Sequence, residues 1–288
     1  MGFFSPSFPP AIFGIQDQQF ALQWIQENGI AFGGDTSRVM IFGCSAGGAS
    51  VAGHLVLPSS KGLFTSAGIE SPGGHQGWMG DDRRHNDDWM STRLNANYSN
   101  RLASELGCNG AHDLDCLRGI PADILYASSI HLRFAPALPS EGQFPLELIR
   151  RGQWHQVPTI IGGQSCESCG DALTMLGPPR SNVSEQDFRS ALINYGLSGV
   201  NGSGVGPDTL ETLYAPRIRA EGRWRTFARI LGDSGHSCSA ALHAEALVAR
   251  NASRSKVWRY FFSFNTSGLP GATHGSEVSW VFDSKVLR

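Results

Sequence analysis

The stretch that most constrains the fold is Val39-Met40-Ile41-Phe42, followed by Gly43-Cys44-Ser45-Ala46-Gly47 and then small residues to about Leu55. A short continuous apolar run reads as a strand buried on both faces, as in a parallel sheet. The small-residue run reads as a helix packed closely against that sheet. A strand that turns into a helix through G-x-S-x-G leaves few architectures open. Such a turn holds the serine in a strained conformation and pushes its Oγ out beyond the sheet edge. Side chains two residues to either side would collide, so Gly43 and Gly47 are expected to be glycine for that reason. The helix N-terminus adds a positive dipole where negative charge would develop. In a chain with 35 Gly among 288 residues the motif alone is weak, and an ordinary glycine-rich turn would read the same way. Its context makes Ser45 a candidate nucleophile and the Ala46 N–H a candidate oxyanion donor.

The rest of the chain alternates in the same manner. Residues 16–28 place Phe20, Leu22, Trp24 and Ile25 at helical spacing. Residues 67–71, 157–163 and 257–264 read as further strands, and 87–106 as a helix with a polar face. Residues 170–250 read as a long, mostly helical excursion. Strands alternating with helices predict an α/β fold, a mostly parallel central sheet flanked by helices. No internal repeat or linker divides residues 1–288, so a single domain is expected.

Composition removes several function classes. The net charge of −2 argues against a nucleic-acid or anionic-membrane binder, which would carry a basic excess. With 17% charged and 41% hydrophobic residues, the chain is globular in composition. No apolar run is long enough for a transmembrane helix. The N-terminal residues lack the basic start of a signal peptide. Sequons at Asn97, Asn182, Asn201, Asn251 and Asn265 exceed what chance would supply. They suggest a secreted glycoprotein whose signal lies outside this chain. Cys166-Glu167-Ser168-Cys169 is a C-x-x-C. It lacks the thioredoxin-like setting of a redox motif and the second ligand pair of a zinc site, and a local bridge remains open.

Residues 17–64 resemble the type-B carboxylesterase and cholinesterase family of α/β-hydrolases. They keep its D-Q-x-x-A-L-x-W, F-G-G-D, S-A-G, H-L and G-L-F elements, and a thinner likeness runs to the end of the chain. The family's acid follows a strand ending in glycine, and Glu167 in IIGGQSCESCG falls on it. The family's histidine lies in G-x-x-H-G-x-E/D, and His274 in GATHGSEVSWVF matches. His236, in GDSGHSC, is the rival by chain order alone. The resemblance implies a serine carboxylic-ester hydrolase acting on a small-molecule or lipid ester. Ser45 would be the nucleophile, His274 the general base and Glu167 the residue orienting it, with no cofactor and no metal. Cys108 and Cys116 match a family disulfide loop. Structural roles are expected for His54, Asp17 and Asp35.

The departures from the family also carry expectations. Cys44 stands where the family usually has Glu and reads as a buried thiol. The family's Q-S-G-S segment is Glu70-Ser71-Pro72-Gly73 here, so a serine supporting the acid and base is expected to be lost. The chain reads as truncated at both ends, lacking N-terminal strands and the glycine-rich loop that supplies two further oxyanion donors. The alternative is a catalytically silent or impaired α/β-hydrolase-fold fragment, of binding or adhesion type or an incomplete product.

Overall fold

A computed structural model describes residues 2–6, 12–73, 89–132, 134–138, 143–197, 205–252, 255–264 and 268–282. Among them, β1 (Met40–Cys44), β2 (Ser66–Glu70), β3 (Thr159–Gln164) and β4 (Val257–Phe262) form one parallel sheet in the order β1-β2-β3-β4. Cys44 pairs with Glu70, Glu70 with Gly162, and Gly162 with Tyr260. This register brings the residues that follow all four strands to one edge of the sheet.

Among the described residues there are eleven α-helices: α1 Phe13–Asn28, α2 Ala46–Val56, α3 Thr92–Glu105, α4 Leu114–Gly119, α5 Ala122–Ser129, α6 Pro145–Arg150, α7 Cys169–Leu176, α8 Glu185–Asn194, α9 Pro207–Gly232, α10 Cys238–Ala249 and α11 Val278–Val281. Local chemistry sets several of their starts. The Ser91 and Ser184 side chains accept from the Leu94 and Asp187 N–H groups, and Pro145 and Pro207 open α6 and α9. Asp35 similarly caps the 3₁₀ turn Thr36–Arg38. Helix α9 bends at Gly222, whose φ is 79°.

The core beneath the sheet comes from alternation along the strands. Ile41, Ala67, Ile69 and Ile161 point to the face covered by α2, α6 and α10, where Val51, Leu55, Ile149 and Leu247 meet them. The opposite face carries Met40, Phe42, Ile160 and Trp258, all exposed. The expectation of a strand buried on both faces at 39–42 is therefore corrected: Met40 is 46% and Phe42 40% exposed. Among the described strands β1 lies at the edge, and α2 and α10 pack on a single face with α6 against them. The helix at the N-terminus forms, but of its marked residues only Leu22 packs against the core, while Phe20, Trp24 and Ile25 are exposed. Ile15 and Gln19 are buried while Phe20 is 70% exposed.

Three further clusters lie outside this core among the described residues, the smallest of them Met90, Leu94 and Ala137. Phe188, Trp224 and Phe227 centre one, built from α7, α8 and α9. Leu102, Leu117 and Leu132 centre another, which encloses the Cys108–Cys116 disulfide. A second disulfide joins Cys166 to Cys169, resolving that motif as a local bridge. Asn97 and Asn182 are exposed, and Asn251 holds its amide against Ser255 in a turn. Asn201 and Asn265 lie outside the described residues. Among the described residues, no helix is long and apolar enough to cross a membrane.

Candidate active site

Strand β1 passes into α2 through a single residue, Ser45, at φ 61° and ψ −123°. A non-glycine residue with positive φ stores roughly 1–3 kcal/mol of strain. Its N–H is held by the Glu70 carbonyl at 3.0 Å, across the end of β2. Helix α2 begins at Ala46, so the Ala46 N–H belongs to a first turn with no intrahelical acceptor. The crowding around this elbow differs from the motif's usual reading. A Cβ on Gly43 would sit 2.7 Å from the Gly47 backbone, and one on Gly48 2.8 Å from the Glu70 carbonyl oxygen. A Cβ on Gly47 would meet nothing within 4 Å. The steric demand thus falls on Gly43 and Gly48, and the expectation for Gly47 is corrected. The Gly47 backbone is what crowds Gly43, while its own Cα–Cβ direction points away from the strand.

Glu167 follows β3 and is 4% exposed. Its Oε2 meets His274 Nδ1 at 2.8 Å, and its Oε1 accepts from the Gln164 N–H at 2.7 Å and the Ser71 hydroxyl at 2.7 Å. Burial pushes this carboxyl up, but the bonds from His274, Gln164 and Ser71 outweigh it and hold it below the usual range. The His274 ring is pushed above the ordinary imidazole value, first by its bond to Glu167 and against its partial burial. The His274 N–H also reaches the Glu167 carbonyl at 3.2 Å, so the two loops are tied through backbone as well. The serine that departs from the family's segment is its last, Gly73 here, while Ser71, which the segment shares, puts its own hydroxyl on the acid. The Ser71 N–H bonds the Gly162 carbonyl at 2.8 Å, fixing it between β2 and β3.

Among the described residues no hydrogen bond joins Ser45 Oγ to the His274 ring. Such contacts are often loose in unliganded sites and tighten around substrate. His236, the rival by order, does not approach Glu167 as a hydrogen-bond partner. It stacks on His274, with ring centroids 4.2 Å apart and planes 25° from parallel.

Around Cys44 lies an acidic cluster, Glu70 and Glu277, that the sequence reading missed. Glu277 is 4% exposed, accepts from the Tyr260 hydroxyl at 3.3 Å and leaves Oε2 without a partner. Burial, then Glu167, pushes its carboxyl up; burial, then Glu277, does the same to Glu70. Cys44 is half-buried rather than fully buried, and burial followed by Glu277 and Glu70 pushes its thiol up to about 12. It therefore stays protonated and is no rival nucleophile. The signal for Glu277 stood three residues after His274 in the HGSE run. A cavity of about 180 Å³ is lined by Glu167 together with Gln164, Arg225, Arg229, Asp233 and Phe261. His54 is buried and neutral, bonded to Ser60 and Gln18 at 2.9 Å each, which is a structural placement.

The carboxylesterase family model matches residues 1–288. Cholinesterase of Mus musculus is 28% identical over 307 residues, covering 95% of this chain and 47% of that protein. Acetylcholinesterase of Bungarus fasciatus is 28% identical over 303 residues, covering 95% and 47%. Cholinesterase 2 of Branchiostoma lanceolatum is 29% identical over 297 residues, covering 94% and 82%. The chain thus spans about half the length of the first two relatives. A match along every residue, on a parallel sheet whose second strand follows a serine elbow, supports one assignment: the chain belongs to the carboxylesterase family and has its α/β-hydrolase fold.

Proposed function

We propose that the chain hydrolyses carboxylic esters through an acyl intermediate on Ser45. The observation that carries this reading is the Glu167 Oε2–His274 Nδ1 bond of 2.8 Å, made at the same sheet edge as the Ser45 elbow. Serine is a weak nucleophile at neutral pH. His274 takes the Ser45 proton on Nε2 as Oγ attacks the ester carbonyl carbon. Glu167 keeps Nδ1 protonated, so Nε2 carries the free lone pair, and it stabilises the imidazolium that forms. The Ala46 N–H and the start of α2 face the oxygen that gains charge. The tetrahedral species collapses as His274 returns the proton to the leaving alkoxide. Water then attacks the acyl carbon with His274 again as base, releasing the acid and restoring Ser45.

The substrate is a small-molecule or lipid carboxylic ester, and water is the only co-reactant this chemistry needs. We further place the protein outside the cell, as a glycoprotein. Its two disulfides and the exposed sequons at Asn97 and Asn182 support that reading. The test is a fluorophosphonate probe, which phosphonylates an activated serine. The folded chain takes up label and Ser45→Ala takes up none. Absence of label on folded protein sinks the proposal.

A further inference from the structure

His236 is unused by the mechanism above, yet it lies against the proposed base. It belongs to a π-helical turn, Asp233–Ser237, inserted between α9 and α10. Such turns are rare and concentrate at functional sites. The turn aims the His236 ring inward, where it faces the carbonyls of Pro72 and Ser71 and leaves Nδ1 buried without a hydrogen-bond partner. The two imidazoles overlap face to face at 4.2 Å.

The geometry gives this contact a task. A single hydrogen bond from Nδ1 to Glu167 fixes one corner of the His274 ring. The ring can still tilt about that bond, carrying Nε2 toward or away from Ser45. A second ring pressed on its face removes that freedom, because tilting would separate or overlap the stacked atoms. The platform is itself anchored, since Ser71 is tied to Gly162 and to Glu167.

Resting on the triad reading, we propose that His236 is a positioning residue, a neutral imidazole platform that sets the plane of His274 and disarms the pair when it is protonated. The groups facing His236 are His274 and Glu167, together with the Ser71 and Pro72 carbonyls. His274 is faced in addition by Glu277 and Asp171. Asp233, on the same π turn, is engaged by the Tyr214 hydroxyl at 2.9 Å. One carboxylate, Glu167, therefore serves both rings. The first proton settles on His274, which bonds that carboxylate directly. A second would set two cations face to face over a single bonded anion, so it binds only in more acid solution. Burial first, and then His274, push the His236 ring down in accord with this order. A phenyl ring would form the same platform without the second proton.

The experiment measures fluorophosphonate labelling rate against pH for the wild-type chain, His236→Phe and His236→Ala. The wild-type acid limb should steepen from one proton to two, and His236→Phe should show one throughout with a plateau about three-fold lower. In His236→Ala the freed ring should lower the plateau at least about ten-fold. A two-proton limb in His236→Phe, or a wild-type plateau in His236→Ala, overturns the inference. A wild-type chain that never labels removes the triad reading instead. The ring resonances then decide by NMR titration. Two linked imidazole titrations that become one in His236→Phe sustain the stack's role, and superimposable His274 curves in all three proteins refute it.

Discussion

The two adjacent glycines at the start of α2 should respond oppositely to alanine. At Gly43 the new Cβ lands 2.7–2.9 Å from the backbone of Gly47, and at Gly48 2.8 Å from the Glu70 carbonyl oxygen. Both obstacles are main chain, so neither can swing aside as a flexible side chain would. Overpacking of this kind costs about 1–3 kcal/mol, and a backbone obstacle argues for the upper half of that range. At Gly47 the Cβ meets nothing within 4 Å and the residue is already helical. Alanine there stabilises by about 0.5–1 kcal/mol, because it loses less backbone freedom on folding. In thermal unfolding, Gly43→Ala and Gly48→Ala should each lower Tm by roughly 5–10 °C, while Gly47→Ala should raise it by about 1–3 °C. Circular dichroism melts of the three variants at one pH measure this directly. Equal destabilisation by Gly47→Ala and Gly43→Ala would refute the reasoning, and would return the elbow to the symmetric crowding that the motif suggests.

Two further outcomes follow from buried polar groups. His54 and His243 are buried with their rings held neutral, each pushed down to about 4 by burial. Unfolded imidazoles protonate near 6.5, so the unfolded chain binds more protons between about pH 6.5 and 4, and stability falls across that window as pH falls. Each ring contributes on the order of 3 kcal/mol, and His54→Gln should flatten the acid slope of urea-unfolding stability by about one proton. A slope unchanged by that substitution would contradict the assignment. Ser71→Ala removes one donor from the Glu167 carboxylate and should cost about 1.5–3 kcal/mol at neutral pH. Because the bond depresses the carboxyl, its stabilisation is present above the ordinary carboxylate range and fades as pH falls through the folded value. Parallel wild-type and Ser71→Ala stability curves down to low pH would contradict it.

Much of the sheet was legible locally. The runs at 159–164 and 257–262 announce strands because β-branched or aromatic residues cluster in them, whereas 66–70 offers only Ile69 of that kind. Ser45 was legible for a similar reason: the turn it occupies demands a particular strand, glycine and helix in immediate succession. Glu167 and His274 could be named only through family resemblance, since nothing in their own neighbourhoods requires that they meet. Burial on both faces of β1 was misread because an apolar run reports what a strand could bury, and the neighbours that cover it are set elsewhere.

What the sequence determined by itself is the set of local conformations: the elbow at Ser45 and the parallel strand-helix alternation. These depend on residues within a few positions of one another, where sterics and backbone hydrogen bonding act directly. Tertiary structure alone decided which distant groups share a charge or a face. The register Cys44–Glu70–Gly162 carries Ser71 to Glu167, and the fold gathers Glu70 and Glu277 around Cys44. The π turn after α9 lays His236 on His274. Side chains separated by tens of residues meet only when the sheet closes its register. The electrostatics of the site therefore belongs to the fold, while the candidate nucleophile is already written into the chain.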